Sequence, residues 1–328
     1  MNSLLQLLTA YEAYNIVGHM RPDGDCIGSE VALCAIIRTL GKECYPILND
    51  SIPPNFTSFF DGIPCVPKDK INGNLPLICV DCSDFGRVGQ AVKLAYNEVF
   101  LNIDHHISND NFALNNIVNG GAASTTEILA ELLIESKFAI TKQISDALYL
   151  GIITDTGNFA YDSTSIKTFK IAEALISIGT KPHQIYALAY ENNTLERYRM
   201  LERLLRNMEI FGEGRLCLSF VTELDFEETG ASAFDTEGFV NYTRELRGVL
   251  IGCFLEIRSS SVKCSLRAID RSLRVDLLAN IFGGGGHPCA AGFSKKSNVS
   301  ISSFIDSLKA ALCEHVRKFY DECHAPIR

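Results

Sequence analysis

The chain has 328 residues, of which 47% are hydrophobic and 21% are charged. A chain of this length exceeds the size at which a single hydrophobic core stops growing, so we expect two globular domains. The net charge of −9 disfavours binding along a long nucleic acid, because phosphate neutralisation requires a basic surface. No apolar run approaches the length of a membrane span, and the apolar start lacks the basic residues of a signal peptide. The twelve cysteines are scattered along the chain, which is typical of reduced thiols in a cytoplasmic protein.

Short apolar runs alternate with helical patterns through the first half of the chain. Such runs predict strands, whereas longer amphipathic patterns predict helices. The predicted strands are 16–18, 44–48, 77–80 and 99–103, and the predicted helices are 27–40, 87–96 and 125–136. This alternation is typical of a mostly parallel sheet with helices packed against it.

Helical patterns dominate from residue 140 to residue 207 and then give way to a mixture. The predicted helices are 145–153, 166–178, 182–190 and 196–208, followed by strands 215–221, 248–257 and 261–268 and by helices 275–282 and 301–319. We therefore predict an α/β N-terminal domain over residues 1–190. A connecting segment with a charged helix follows over 191–208, and a smaller α+β domain occupies 209–328.

Histidines and aspartates are concentrated in four short segments, each of which follows an apolar stretch: 18–25, 80–81, 104–106 and 154–157. An open α/β sheet presents its ligand site at the carboxyl ends of its strands, so we expect the four segments to meet there. Carboxylates and imidazoles suit Mn²⁺ or Mg²⁺, and two such ions about 4 Å apart can hold a hydroxide against a phosphorus atom. The sequence therefore predicts a dinuclear metal centre.

The first two segments predict how the two ions would share their ligands. His19, Asp23 and Asp25 leave a single turn in which Pro22 and Gly24 restrict the chain, so the two carboxylates can serve neighbouring ions. Asp81, at the tip of its own strand, is placed to bridge the ions. In the later segments, His105 and Asp155 are expected to complete the ligand set of the second ion. His106 is expected to face the substrate.

The four segments resemble, in residues and in order, the motifs of the DHH phosphoesterases. They are His19-x-x-Pro22-Asp23-x-Asp25-x-x-Gly28-Ser29, Asp81-x-Ser83, Asp104-His105-His106 and Asp155-Thr156-Gly157. The run Gly283 to His287, followed by Ala290-Ala291-Gly292, resembles the glycine-rich motif of the DHH-associated C-terminal domain. The resemblance extends from about residue 12 to about residue 320. Within the family, the compact two-domain length is similar to that of bacterial nanoRNases that also hydrolyse 3′-phosphoadenosine 5′-phosphate (pAp).

The resemblance implies a ligand set for two Mn²⁺ ions, with Mg²⁺ and Co²⁺ as alternatives. The first ion would be held by His19, Asp23 and Asp81, and the second by Asp25, Asp81, His105 and Asp155. It also implies a nucleotide site that comprises Arg267, Gly284, Gly285 and His287.

The glycine-rich segment is itself suited to binding a nucleotide. Glycines allow backbone N–H groups to approach a phosphate without an intervening Cβ, and Arg267 can pair with a phosphate through two hydrogen bonds. A flexible loop and a peripheral salt bridge are the alternative interpretations of these two features.

Two cysteines adjoin predicted ligands, namely Cys26 beside Asp25 and Cys82 beside Asp81. If either thiol faces the site, soft ions such as Cd²⁺ or mild oxidation should inhibit the protein. Burial as small apolar side chains is the alternative.

We therefore expect a Mn²⁺-dependent phosphodiesterase and phosphatase. Its substrates would be very short oligoribonucleotides, linear dinucleotides and pAp, and its products nucleoside 5′-monophosphates. Long nucleic acids and membranes are not expected partners, and the order of substrate preference is left open, as is assembly into a homodimer. A cyclic dinucleotide phosphodiesterase is the alternative within the family. A nucleotide-sensing module without turnover is the alternative of another class, although the complete ligand set counts against it.

Overall fold

The computed structural model of the chain describes residues 3–296 and 300–321. The chain divides into two units between Asn192 and Asn193. Within the described ranges, none of the helices combines the length and the apolar character that a membrane crossing requires.

A six-stranded sheet forms the centre of the first unit. Its strands are β1 (Ala13–Val17), β2 (Glu43–Leu48), β3 (Val66–Pro67), β4 (Leu77–Val80), β5 (Leu101–Asp104) and β6 (Asn115–Val118). The order is β3-β2-β1-β4-β5-β6, and every neighbouring pair is parallel. The predicted α/β fold with a mostly parallel sheet is therefore confirmed. Because β2 and β4 flank β1, the strand order reverses between β1 and β4, and a ligand crevice is expected at the carboxyl ends of these two strands.

Helices surround this sheet. They are α1 (Ser3–Leu7), α2 (Gly24–Thr39), α3 (Gln90–Ala95), α4 (Thr125–Glu135), α5 (Lys142–Asp155), α6 (Ile166–Ile178) and α7 (Pro182–Tyr186). Helix α2 is buried continuously from Gly24 to Ile37, because it packs against both the sheet and α5. A helix that is enclosed on all sides needs apolar residues all round, which explains why α2 lacks a polar face.

The second unit contains a mixed sheet. Its strands are β7 (Glu209–Phe211), β8 (Leu216–Thr222), β9 (Ile251–Ile257), β10 (Ser261–Ala268), β11 (Gly285–His287) and β12 (Ala290–Lys296). The order is β11-β12-β10-β9-β8-β7, in which only the β8–β9 pair is parallel. Its helices are α8 (Leu195–Arg206), α9 (Glu223–Thr229), α10 (Phe239–Arg244), α11 (Val275–Ile281) and α12 (Ile301–Val316). The α+β character predicted for this part of the chain is confirmed.

Helix α8 occupies most of the segment that the sequence suggested as a connection. Its buried residues Met200 and Leu204 pack in one apolar cluster with Val221, Phe226 and Phe239. All of these residues belong to the second unit. The charged face that suggested a linker is the solvent side of an amphipathic helix.

Several elements differ from the sequence prediction, including the predicted helices 87–96 and 301–319 and the glycine-rich segment. The predicted helix 87–96 is interrupted at Gly89, where a φ of +85° separates a 3₁₀ turn (Phe85–Val88) from α3. The predicted helix 301–319 is α-helical only to Val316 and continues as a π turn, Arg317–Asp321. No strand was predicted in the glycine-rich segment, but Gly285–His287 forms the edge strand β11 against β12.

Two glycines allow helices α2 and α5 to pack backbone against backbone. A Cβ on Gly28 would lie 2.4 Å from the carbonyl oxygen of Ala147 in α5. A Cβ on Gly151 would lie 2.4 Å from Oδ1 of Asp25 in α2. A side chain at Gly28 would force the two helices apart, and one at Gly151 would displace the carboxylate of Asp25.

We predict that Gly28→Ala lowers the free energy of unfolding of the protein by about 1–3 kcal/mol, since a backbone atom blocks the new methyl group. Urea titration followed by circular dichroism measures this loss. Gly121→Ala is the matched control, because its Cβ would meet only Oδ1 of Asn119, at 3.4 Å. An equal effect of the two substitutions would contradict the proposed close approach.

Candidate metal centre

Three of the four predicted segments lie at the carboxyl edge of the parallel sheet. His19 follows β1, Asp81 follows β4 directly, and His105 and His106 follow β5. The fourth segment follows a helix instead of a strand, because Asp155 is the last residue of α5. The packing of α5 on α2 brings this residue to the same edge.

Asp81 lies between imidazoles that come from two different strand ends. Its Oδ2 is 3.4 Å from Nε2 of His19, whereas its Oδ1 is 3.5 Å from Nε2 of His105. The carboxylate is buried and points one oxygen at each side of the site. This is the geometry expected of a ligand shared by two ions.

The backbone around Asp81 is constrained as strongly as its side chain. Its φ of +56° is left-handed, a conformation that aspartate and asparagine tolerate better than most residues. Its N–H donates to the carbonyl oxygen of Ile103, and the Thr125 hydroxyl donates to Oδ1 at 3.1 Å. Burial would raise the pKa of Asp81, but the hydrogen bond from His19 and the nearby imidazoles hold it far below its usual value.

The turn after β1 presents Asp23 and Asp25 to the site in different ways. Asp23 caps helix α2 through Oδ1, which accepts hydrogen bonds from the N–H groups of Asp25 and Cys26 at 3.1 and 3.0 Å. Its Oδ2 lies 3.7 Å from Nε2 of His19. The position between Asp23 and Asp25 requires glycine, because a Cβ on Gly24 would lie 2.4 Å from the side chain of Thr154.

Asp25, His105 and Asp155 form a second group. One ligand atom from each lies within 4.8 Å of the others, and Nε2 of His105 is 3.1 Å from Oδ2 of Asp155. The start of α4 fixes Asp25: Oδ2 accepts from the N–H of Thr125 at 2.7 Å, and Oδ1 from the N–H and hydroxyl of Thr126. The structure therefore brings together three of the four residues expected at the second ion, with Asp81 beside them.

The carboxylates of this site repel one another. Burial and the charge of Asp81 raise the pKa of Asp25 to about 7. Burial and the charges of Asp25 and Asp23 raise the pKa of Asp155 well above its usual value. The four carboxylates of Asp23, Asp25, Asp81 and Asp155 carry the charge that two divalent cations would balance. The donor set therefore fits a pair of hard ions with oxygen and imidazole ligands.

His106 has a partner that fixes its ring. Its Nδ1 contacts Oδ1 of Asp104 at 2.6 Å, and Nδ2 of Asn109 donates to the other oxygen of Asp104 at 2.6 Å. Burial opposes the charged ring, but Asp104 and Asp81 together raise the pKa of His106. This arrangement favours a proton on Nδ1 and turns Nε2 away from Asp104.

Sequence reasoning missed the residues that hold the turn before His19. The Gly18 N–H donates to Oε1 of Glu30 at 2.6 Å, and Nδ2 of Asn49 donates to the carbonyl oxygens of Gly18 and Val88 at 2.9 Å each. Glu30 and Asn49 are both buried. Neither residue belongs to a recognisable motif. Asn49 lies 31 residues from Gly18 in the chain, so no local sequence pattern predicts the hydrogen bond between them.

In the second unit, Arg267 and His287 lie on one face of the sheet. Strand β12 lies between β10 and β11, and its residue Ala290 is directly opposite Arg267 on one side and His287 on the other. The two residues are therefore two strand spacings, or about 10 Å, apart. Arg267 points away from the apolar core that contains its neighbours Leu266 and Ala268. The two residues could thus contact one extended ligand.

The predicted glycines differ in how much space surrounds them. A Cβ on Gly284 would lie 2.1 Å from the carbonyl oxygen of Gly292, so the sheet itself requires glycine at this position. A Cβ on Gly285 would meet only Oδ1 of Asn280, at 3.5 Å. Gly285 is also exposed to solvent. Gly285 is therefore the more accessible of the two for a ligand.

Residues 14–152 match the DHH family, N-terminal domain. The matched segment includes His19, Asp25, Asp81 and His105 and ends just before Asp155.

Relatives extend the similarity over most of the chain. It is 29% identical over 304 residues to the bifunctional oligoribonuclease and PAP phosphatase NrnA of Thermus thermophilus, covering 90% of this chain and 88% of the relative. The protein of the same name from Bacillus subtilis is 25% identical over 318 residues, with 95% and 98% covered. A crystal structure of an exopolyphosphatase-related protein from Bacteroides fragilis superimposes with a TM-score of 0.85 at 24% identity, covering 96% of this chain and 95% of that one. This likeness confirms the fold.

Glu30 makes the stability of the metal-free protein depend on pH. Burial raises the pKa of Glu30 from its usual 4.5 to about 8, so the folded state binds this proton more tightly than the unfolded state. The contribution of Glu30 to the free energy of unfolding therefore falls as pH rises from about 4.5 to about 8. Glutamine keeps the oxygen that accepts from Gly18 and carries no charge. We predict that Glu30→Gln raises the melting temperature relative to wild type increasingly between about pH 5 and about pH 9.

Thermal unfolding followed by circular dichroism in the presence of a chelator measures this difference. Glu135→Gln is the control, since Glu135 lies exposed on α4. A difference between wild type and Glu30→Gln that stays constant across this pH range would show that Glu30 is charged throughout.

Proposed function

We propose that this chain is a metal-dependent phosphodiesterase and phosphatase that acts on very short oligoribonucleotides and on pAp. The DHH-family domain and its relatives indicate a hydrolase acting on phosphoester bonds. The observation that supports the proposal best is the position of Asp81, with one carboxylate oxygen towards His19 and the other towards His105. The two relatives are named for oligoribonuclease and PAP phosphatase activity, which supports this choice of substrates.

The ligands of the proposed centre divide around Asp81. His19 and Asp23 would hold one divalent cation on the Oδ2 side, and Asp25, His105 and Asp155 the other on the Oδ1 side. When bound, the cations would activate a water molecule and stabilise the charge that develops on the phosphoryl group. Mn²⁺ is the ion we propose, since the site mixes imidazole with carboxylate ligands.

The protein's own groups supply orientation and a proton. Asp104 fixes His106 with Nδ1 towards itself and raises the pKa of the ring, so Nε2 is placed to give a proton to the leaving oxygen or to orient the phosphoryl group. Thr125 and Thr126 hold Asp25 and Asp81 in place before any substrate arrives. In the second unit, Arg267 and His287 are proposed to bind the part of the nucleotide that does not react.

A substrate panel tests the proposed specificity. With Mn²⁺ present, we expect turnover of pAp and of RNA dinucleotides, and a steep decline as the RNA is lengthened. Cyclic dinucleotides are included because they are the substrates of the alternative activity. Comparable turnover of long and short RNA would refute the restriction to short substrates, and turnover of cyclic dinucleotides alone would favour the alternative.

Asp81→Asn is predicted to abolish hydrolysis of every substrate in the panel while the fold is retained. Asparagine tolerates the left-handed backbone at this position and has the same shape, so the loss reports the missing charge and ligand atom. Steady-state assays measure activity, and circular dichroism confirms folding. Asp84→Asn serves as the control, because Asp84 caps the neighbouring 3₁₀ turn through the N–H of Gly86. Residual Asp81→Asn activity above a few per cent would exclude a bridging role.

Arg267→Ala and His287→Ala are predicted to raise KM for a dinucleotide about 10- to 100-fold, the loss expected for a charge-assisted hydrogen bond. These groups would bind ground state and transition state alike, so kcat should change little. Hydrolysis of a small generic phosphodiester should be almost unaffected. Arg271→Ala, which removes an exposed arginine close to Arg267 in the chain, is the control. If both variants lost the generic activity as completely as Asp81→Asn, the two residues would have to be catalytic.

A further inference from the structure

Cys26 lies directly beneath the turn that carries His19. It belongs to the first turn of α2, follows Asp25 and is fully buried. Its Sγ fills the space beside Gly18, where a Cβ would lie only 2.0 Å from the sulfur. The absence of a side chain at Gly18 therefore makes room for this thiol next to the proposed metal centre.

The sulfur is within reach of two proposed ligands. One ligand atom each from His19, Cys26 and Asp81 lies within 4.8 Å of the other two, and all three side chains are buried. Nδ1 of His19 contacts the carbonyl oxygen of Met20, so Nε2 is the atom directed towards Asp81. Ligands of a tetrahedral Zn²⁺ lie about 3.3–3.8 Å apart, so the three atoms lie near the spacing that one ion requires.

Cys82, the other cysteine beside a ligand, has different surroundings. It packs with Val17, Cys79 and Val88 in an apolar cluster, as expected for a buried structural thiol. The two cysteines that were equivalent in the sequence are therefore distinguished by the structure, and only Cys26 joins a group of potential metal ligands among the described residues.

The type of donor atom decides which ions benefit. Mn²⁺ and Mg²⁺ favour oxygen ligands, whereas thiolate favours Zn²⁺ and other soft ions. We propose that Cys26 gives this centre a soft-metal site, in which Zn²⁺ or Cd²⁺ is held by Sγ of Cys26, Nε2 of His19 and a carboxylate oxygen of Asp81. Binding releases the thiol proton to solvent. The inference rests on the proposed metal centre, because a soft ion held in this way takes His19 and Asp81 from the hard ion.

Cd²⁺ binding to the metal-free protein tests the site without measuring catalysis. We expect one equivalent of Cd²⁺ to produce the ultraviolet charge-transfer band of a thiolate–cadmium bond, and Mn²⁺ to compete for the same site. Cys26→Ser should abolish the band and weaken Cd²⁺ binding at least about tenfold, while Mn²⁺ binding stays nearly unchanged. Cys82→Ser is the matched control and should keep both the band and the affinity.

A band that persists in Cys26→Ser, or Cd²⁺ binding to wild type without any band, overturns the proposal. Cys26→Ala provides a second variant, and its retained Mn²⁺ binding verifies that the site is folded. The two proposals fail separately. Wild type that binds no Mn²⁺ removes the proposed function. A Cd²⁺ band that depends on Cys26 supports the soft-metal site whether or not Mn²⁺ binds.

Discussion

The buried carboxylate of Asp81 is the group on which the proposed site depends. It follows β4 next to the point where the strand order reverses, so the ends of β1 and β5 lie on either side of it. His19 approaches from one strand end and His105 from the other. Asp81 has a left-handed backbone conformation, which turns its side chain into the space between these strand ends. The hydroxyl of Thr125 donates a hydrogen bond that holds the carboxylate there. The parallel order of the sheet thus sets the geometry of the site.

Mutual repulsion of buried carboxylates is the second constraint. Asp25, Asp81 and Asp155 share a small volume, and the pKa of Asp25, raised to about 7, reflects burial together with the charge of Asp81. The N-terminus of helix α4 offsets part of this repulsion, because its N–H groups and the Thr126 hydroxyl donate to Asp25. Bound divalent cations would offset the rest. We therefore infer that repulsion among these carboxylates destabilises the folded metal-free protein and increases its affinity for cations.

Local sequence patterns sufficed for the strands that lead to the candidate site, and they identified histidines and aspartates that the structure brings together there. The run Leu77–Val80 was predicted with the bounds that the structure shows, because a short apolar run before a polar turn has few other interpretations. Contacts between distant segments could not be predicted in this way. Thr126 and Asp25 are 101 residues apart, and no periodicity links them. The short strand β11 was missed because its glycines read as a loop until β12 is available to pair with them.

The central claim is that Asp81 joins two ions in one centre, and electron paramagnetic resonance of the Mn²⁺-loaded protein tests it most directly. Two Mn²⁺ ions that share a carboxylate are magnetically coupled, so the spectrum should show the multiline pattern of a coupled pair at a stoichiometry of two ions per chain. A spectrum of isolated Mn²⁺, or saturation at one ion per chain, would contradict the account.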